Sequence, residues 1–130
     1  MTALYLSRTL PTCILEATQG LDARMKPLTV VSYDVDVEGI ADLTDPATRD
    51  SLDAPMTSLA CGWLADRAAG RTPPSWSVVE RLRADHTGIL VPSFAPGATG
   101  ADVNLVLWRW NDAPHRTVTA YDPDNRLSKD

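Results

Sequence analysis

Hydrophobic and polar positions along this chain change period every few residues, and the changes mark out short strands and helices in turn. Leu4, Tyr5 and Leu6 are strand formers, and Ser7-Arg8-Thr9-Leu10-Pro11 then reads as a strand-to-helix turn. Pro11 suits the first helical position, with Thr9 or Leu10 just before it. The helix predicted there runs through Cys13, Ile14, Ala17 and Thr18 and stops at Gly20, a C′ glycine. Leu28 to Val37 is β-branched and ends in alternating apolar and acidic residues, the pattern of a half-buried strand with Asp34 and Asp36 outward. Ile40 to Leu43 gives a second short strand. Thr44-Asp45-Pro46 supplies a cap and a proline for a short helix from Ala47 to Leu52.

Met56 to Ala69 places Leu59, Ala60, Trp63, Leu64 and Ala68 at helical spacing, which predicts an amphipathic helix ending near Gly70. Arg71-Thr72-Pro73-Pro74 breaks it. Ser75 then caps a helix from Trp76 to Ala84, with Trp76, Val79 and Leu82 toward the core and Glu80, Arg81 and Arg83 outward. Ile89-Leu90-Val91, bounded by Gly88 and Pro92, predicts a strand covered on both faces. A Gly/Pro loop from Phe94 to Ala101 leads to a strand from Val103 to Trp110. After the Asn111-Asp112-Ala113-Pro114 turn comes a last strand, Thr117 to Tyr121. The expected fold class is α+β, a compact mixed β-sheet with about three helices.

Composition narrows this picture modestly. A chain of 130 residues, 44% hydrophobic, supports one compact domain, read as residues 1–121 with a polar tail at 122–130. Twelve basic against 17 acidic residues give a formal charge of −5, which argues against a broad footprint for nucleic acid or anionic membrane. No apolar run approaches the ~18 residues of a membrane span and the N-terminus lacks the signature of a secretory leader, so a cytoplasmic protein is expected. Cys13 and Cys61 stand in apolar surroundings without metal or redox spacing, and both are expected as buried structural thiols.

Few residues offer chemistry on their own. Glu16 falls at the edge of the first helix's apolar stripe, where a carboxylate either looks into a cleft or is one more solvated helix acid. Tyr5 is either a substrate platform or a rim aromatic. Asp34 and Asp36 lack a third ligand and read as solvated, so no metal is expected. Arg81 and Arg83 read as a solvated helix face more readily than as a phosphate contact. His86 and His115 have no serine or cysteine at motif spacing, and there is no phosphate-binding glycine motif, zinc pattern or internal repeat.

Taken in order, Leu4-Tyr5-Leu6-Ser7, Glu16 eleven residues after the tyrosine, Tyr33-Asp34-Val35, the Asp42-Leu43-Thr44-Asp45-Pro46 turn, Val91-Pro92-Ser93 and Asn104-Leu105-Val106-Leu107 form a pattern. From Leu4 to about Trp108 this pattern resembles the RES domain, the toxin half of RES–Xre type bacterial toxin–antitoxin systems. The resemblance implies a fold like that of ADP-ribosyltransferase toxins and NAD⁺ as substrate, with growth arrest as the result. Cleavage of its nicotinamide–ribose bond would serve mono-ADP-ribosyl transfer to a protein target, or hydrolysis or phosphorolysis of NAD⁺. By that likeness Glu16 is the catalytic carboxylate and Tyr5 packs against the nicotinamide or its ribose. Ser93 would donate to the ribose or a phosphate, or else cap the loop after Pro92. Asn104 would contact the dinucleotide or satisfy loop backbone. The implied partner is a DNA-binding, Xre-like antitoxin whose tail blocks the cleft.

One departure accompanies the likeness. RES domains carry an arginine in a Gly-Arg-Trp-Asn type motif upstream of this tyrosine, where it binds the NAD phosphates, and the sequence begins four residues before Tyr5. Either that portion lies upstream of Met1 or another arginine replaces it. Arg8 is the nearest candidate, with an ordinary exposed turn arginine as its alternative. The departure keeps a second reading open: a non-catalytic antitoxin- or NAD-binding module that has lost the arginine motif.

Overall fold

The computed structural model describes residues 3–18, 30–59, 74–95 and 97–121. Among them, four strands form the main sheet: β1 (Leu4–Ser7), β3 (Ile40–Asp42), β4 (Gly88–Pro92) and β5 (Val103–Leu107). Their order is β1-β5-β4-β3; the β3–β4 pair is parallel and the others antiparallel, so the sheet is mixed. A separate two-stranded antiparallel ribbon pairs β2 (Tyr33–Val37) with β6 (Arg116–Ala120). The described helical segments are α1 (Leu10–Thr18), α2 (Pro46–Ser51), α3 (Met56–Leu59) and α4 (Pro74–Leu82). The α+β class with a mixed sheet is therefore as the sequence implies, with α2 where the short helix from Ala47 to Leu52 is expected and α3 at the start of the helix expected from Met56.

Local chemistry starts and stops these elements. Thr9 opens α1: its carbonyl accepts from Cys13 N at 3.0 Å and its hydroxyl from Thr12 N at 3.3 Å. Pro11 thus sits one residue inside the helix, where it still lacks no intrahelical bond. Asp45 caps α2 by accepting from Thr48 N at 3.2 Å and from Thr48 Oγ1 at 2.8 Å. Asp53 takes a left-handed φ of 52° just beyond α2 and ends it. Arg81 of α4, read from sequence as solvated, donates to the carbonyls of Leu52 at 3.0 Å and Asp53 at 2.7 Å, tying the two helices together.

Across the main sheet, register brings Ala41, Ile89, Val106 and Tyr5 into one row. Side chains in such a row share a face. Ala41, Ile89 and Val106 join Leu43, Ala54, Val78 and Leu82 in the buried core, with α4 covering this face. Burial stops at the fourth member: Tyr5, on the edge strand, is 72% exposed. Val78 and Leu82, four residues apart, form the inward stripe of α4, while Val79 lies half-buried beside it. Val79 and Leu82 thus pack on the core as expected, with Val78 joining them; the side chain of Trp76 lies outside the described residues.

The strand expected from Leu28 begins at Tyr33 among the described residues, with 28–29 outside them. All of β2 except Val37 is exposed rather than half-buried, because it pairs with β6 alone and not within the main sheet. Asp34 and Asp36 face away from Val35 and are exposed, as expected, and no group of three potential metal ligands occurs among the described residues. The Asn111 turn is fastened by the side chain of Asn111, which accepts from Val118 N at 2.8 Å and donates to Val118 O at 3.1 Å. Cys13 is a half-buried free thiol; Cys61, Gly20 and most of the predicted helix from Met56 to Ala69 lie outside the described residues. No helix among the described residues is long and apolar enough to cross a membrane.

Gly88 is required where β4 meets β5. A Cβ there would collide with Val106 O and stand 2.7 Å from Leu107 Cδ2, closer than real contacts allow. Gly88→Ala is expected to destabilise the protein by about 1–3 kcal/mol through forced separation of these strands. A thermal melt of this variant coinciding with that of wild type would contradict the close approach.

Candidate active site

Polar residues gather at one end of the core-facing side of the sheet. Ser7 and Asn104 are register partners on β1 and β5, and Val91 pairs with Asn104 from the other side. Pairing continues one step further, with Ser93 N donating to Asp102 O at 2.9 Å. Tyr5, Ser7, Asn104 and Ser93 consequently project from the same face by alternation. Helix α1 passes over this end and meets the polar group with two of its side chains, Thr12 and Glu16.

Glu16 is the point of convergence. Its Oε1 accepts a short hydrogen bond from Ser93 Oγ and a second from Asn104 Nδ2 at 2.7 Å. Asn104 is held from behind, since Ser7 Oγ donates to its Oδ1 at 2.9 Å. Ser93, only 7% exposed, is held by Ala95 N, which donates to its Oγ at 3.3 Å. Two donors from different parts of the sheet thus meet on a single carboxylate oxygen. Glu16 itself is half-buried, so the sequence alternative of a plain solvated helix acid does not describe it.

Thr12 anchors the helix beside this network. It is fully buried, and its hydroxyl donates to Asp102 Oδ1 at 2.6 Å. The other oxygen of Asp102 accepts from Thr99 N at 2.8 Å. These donors, the Thr12 hydroxyl foremost and then the Thr99 amide, hold the Asp102 carboxyl below its ordinary value of 3.8. With Glu16 one helical turn further along, Thr12 fixes the height at which that carboxylate meets the sheet.

The structure thus brings Glu16, Ser93 and Asn104 into direct contact and sets Tyr5 on the same face. Tyr5 lies two residues from Ser7 along the strand, a separation of about 7 Å. Its ring is open to solvent on the side where the apolar cover ends. Arg8 is placed differently. Its N–H donates to Val103 O at 3.0 Å, so strand alternation directs its side chain away from the face of Ser7, and it is exposed.

Sequence reasoning passed over Ser7, Thr12 and Asp102. Ser7 had a usable signal, since it stands two residues after Tyr5 on a strand and must share its face. The Thr12–Asp102 pair had none, its partners being 90 residues apart.

Among known proteins, a family model described as RES domain matches residues 1–130, the whole chain. No curated protein and no solved structure matches it.

Because the folded-state value of Asp102 is lowered, its carboxylate stabilises the fold fully above pH 3.8 and loses that contribution as pH falls through the lowered value. The stability difference between wild type and Asp102→Asn should be largest at neutral pH and shrink below about pH 4. Denaturant melts of both proteins across pH check this. A gap that does not change with pH would show that the charge of Asp102 is immaterial.

Proposed function

The chain belongs to the RES domain family, a family associated with NAD-using enzymes, and from that membership and the Glu16 network we propose that it is a toxin cleaving the nicotinamide–ribose bond of NAD⁺. The observation that carries this reading is the carboxylate of Glu16, oriented by two donors from two strands, on the sheet face that also bears an exposed tyrosine.

The chemistry follows from where charge develops. As the C1′–N bond breaks, its electron pair goes to the pyridinium nitrogen and leaves as neutral nicotinamide, while C1′ and the ring oxygen of the ribose share a positive charge. A carboxylate fixed near that ribose stabilises the cation and anchors the ribose hydroxyls, and it does so without reorganising at the moment of reaction. The Tyr5 ring offers a flat face against which the leaving nicotinamide stacks. A protein side chain, water or phosphate then attacks C1′, giving mono-ADP-ribosylation, hydrolysis or phosphorolysis.

In this reading Ser93 and Asn104 serve to hold Glu16, the single proton of the Ser93 hydroxyl being given to that carboxylate. An arginine contributed elsewhere would meet the phosphates, since the Arg8 side chain is directed away from this face. The partner proposed for the chain is a DNA-binding, Xre-like antitoxin that covers the face bearing Glu16, as family membership suggests. Its binding would suppress both NAD⁺ cleavage and the growth arrest that the toxin causes.

Incubation with NAD⁺ should release nicotinamide. Glu16→Gln, nearly isosteric, should slow release by about 10²–10³-fold, and Tyr5→Ala by about tenfold through loss of stacking. Chromatography of the products gives both the rate and the acceptor. Absence of nicotinamide from the wild-type reaction, or equal release by Glu16→Gln, would refute the enzymatic reading and leave a binding module.

A further inference from the structure

We propose that Ser7 is a positioning residue for Glu16, acting through the side-chain amide of Asn104. The inference deepens the reading of this site as an NAD⁺-cleaving centre, and its kinetic consequence rests on that reading.

Asn104 spans the gap between a strand neighbour and a helix. Its Nδ2 donates to Glu16 Oε1 at 2.7 Å and its Oδ1 accepts from Ser7 Oγ at 2.9 Å. An ionised carboxylate only accepts, so the amide must turn its nitrogen toward Glu16 and its oxygen away. That oxygen then requires a donor, and the register partner on β1 supplies one. Directly opposed side chains on paired strands lie close enough for this bond without strain. Bonds at the two ends of one amide polarise each other, so the Ser7 hydroxyl strengthens the donor facing Glu16 as well as fixing its direction.

The other donor to Glu16 is backed in a different way. Ser93 Oγ is held by the backbone amide of Ala95, a contact that side-chain replacement leaves in place. Ser7 therefore backs one of the two donors that meet Glu16 Oε1 with a hydroxyl that substitution removes. Without it, Asn104 Oδ1 loses its partner, and rotation about the last side-chain bond of Asn104 becomes easy, since that torsion is intrinsically broad. A carboxylate displaced by a fraction of an ångström still permits the dinucleotide to bind but faces the developing cation less well. The effect belongs in kcat.

The experiment compares wild type, Ser7→Ala and Ser7→Thr, which keeps the hydroxyl. Ser7→Ala should lower kcat for nicotinamide release about tenfold with KM changed less than about twofold, and Ser7→Thr should recover most of the loss. Independently of NAD⁺, the side-chain amide signals of Asn104 in a heteronuclear NMR spectrum, assigned with Asn104→Ala, should shift and broaden in Ser7→Ala but not in Ser7→Thr. If Ser7→Ala melts below the assay temperature, Ser7→Cys, a weak donor of similar size, replaces it with the same expectation. Unchanged Asn104 signals in the hydroxyl-free variant overturn the proposal, as does a loss confined to KM. A wild type that releases no nicotinamide defeats the functional reading instead, and the NMR comparison then decides the positioning role by itself.

Discussion

One carboxylate oxygen organises the polar end of the sheet face. Oε1 of Glu16 receives a hydroxyl from the end of β4 and an amide from β5, and thereby fastens α1 to two strands at once. A half-buried acid gains from donors, and a donor whose own acceptor end is unsatisfied would carry a penalty. The network closes accordingly: Asn104 is answered by Ser7 and Ser93 by Ala95. Among the described residues, every buried side-chain nitrogen or oxygen has a hydrogen-bond partner. The helix that carries the acid is held in place by the neighbouring Thr12–Asp102 bond, so its height over the sheet does not depend on Glu16 alone.

The sheet supplies both a core and a site from one face. Toward β3 the face is apolar and covered: Ala41, Leu43, Ile89 and Val106 pack with Val78 and Leu82 of α4. Toward β1 the cover ends, and the same alternation that buried Ile89 and Val106 leaves Tyr5 in solvent. Toward the C-terminal end of β4 the face turns polar, through Ser93, Asn104 and Ser7. Apolar packing thus sets the rigidity of the strands, and polar residues at their ends inherit it. A tyrosine and a carboxylate can then hold fixed positions although neither is deep in the core.

Capping chemistry and strand punctuation were legible in the sequence, since each depends on neighbours along the chain. Asp45-Pro46 announced α2, Gly88 and Pro92 bounded β4, and the turn from Ser7 to Pro11 marked the passage from β1 to α1. The stripe of α4 was legible in part: Val79 and Leu82 pack on the core as expected, whereas the deeper burial of Val78 depends on how the helix is rolled against the sheet. The exposure of β2 was not legible either. Its alternation is that of a half-buried strand, and only its partnership with β6 rather than the main sheet leaves Tyr33 and Val35 open.

The amino-acid sequence by itself determined the family, the α+β class and the two residues on which the chemistry is proposed to turn, because Tyr5 and Glu16 occur in a recognisable order with local signals around them. The tertiary structure decided what surrounds that acid. Ser93 and Asn104 stand 77 and 88 residues away from Glu16, and Asp102 stands 90 from Thr12. Hydrogen bonds between such distant positions depend on strand register and on how a helix crosses the sheet, and these are fixed only when the whole chain has packed.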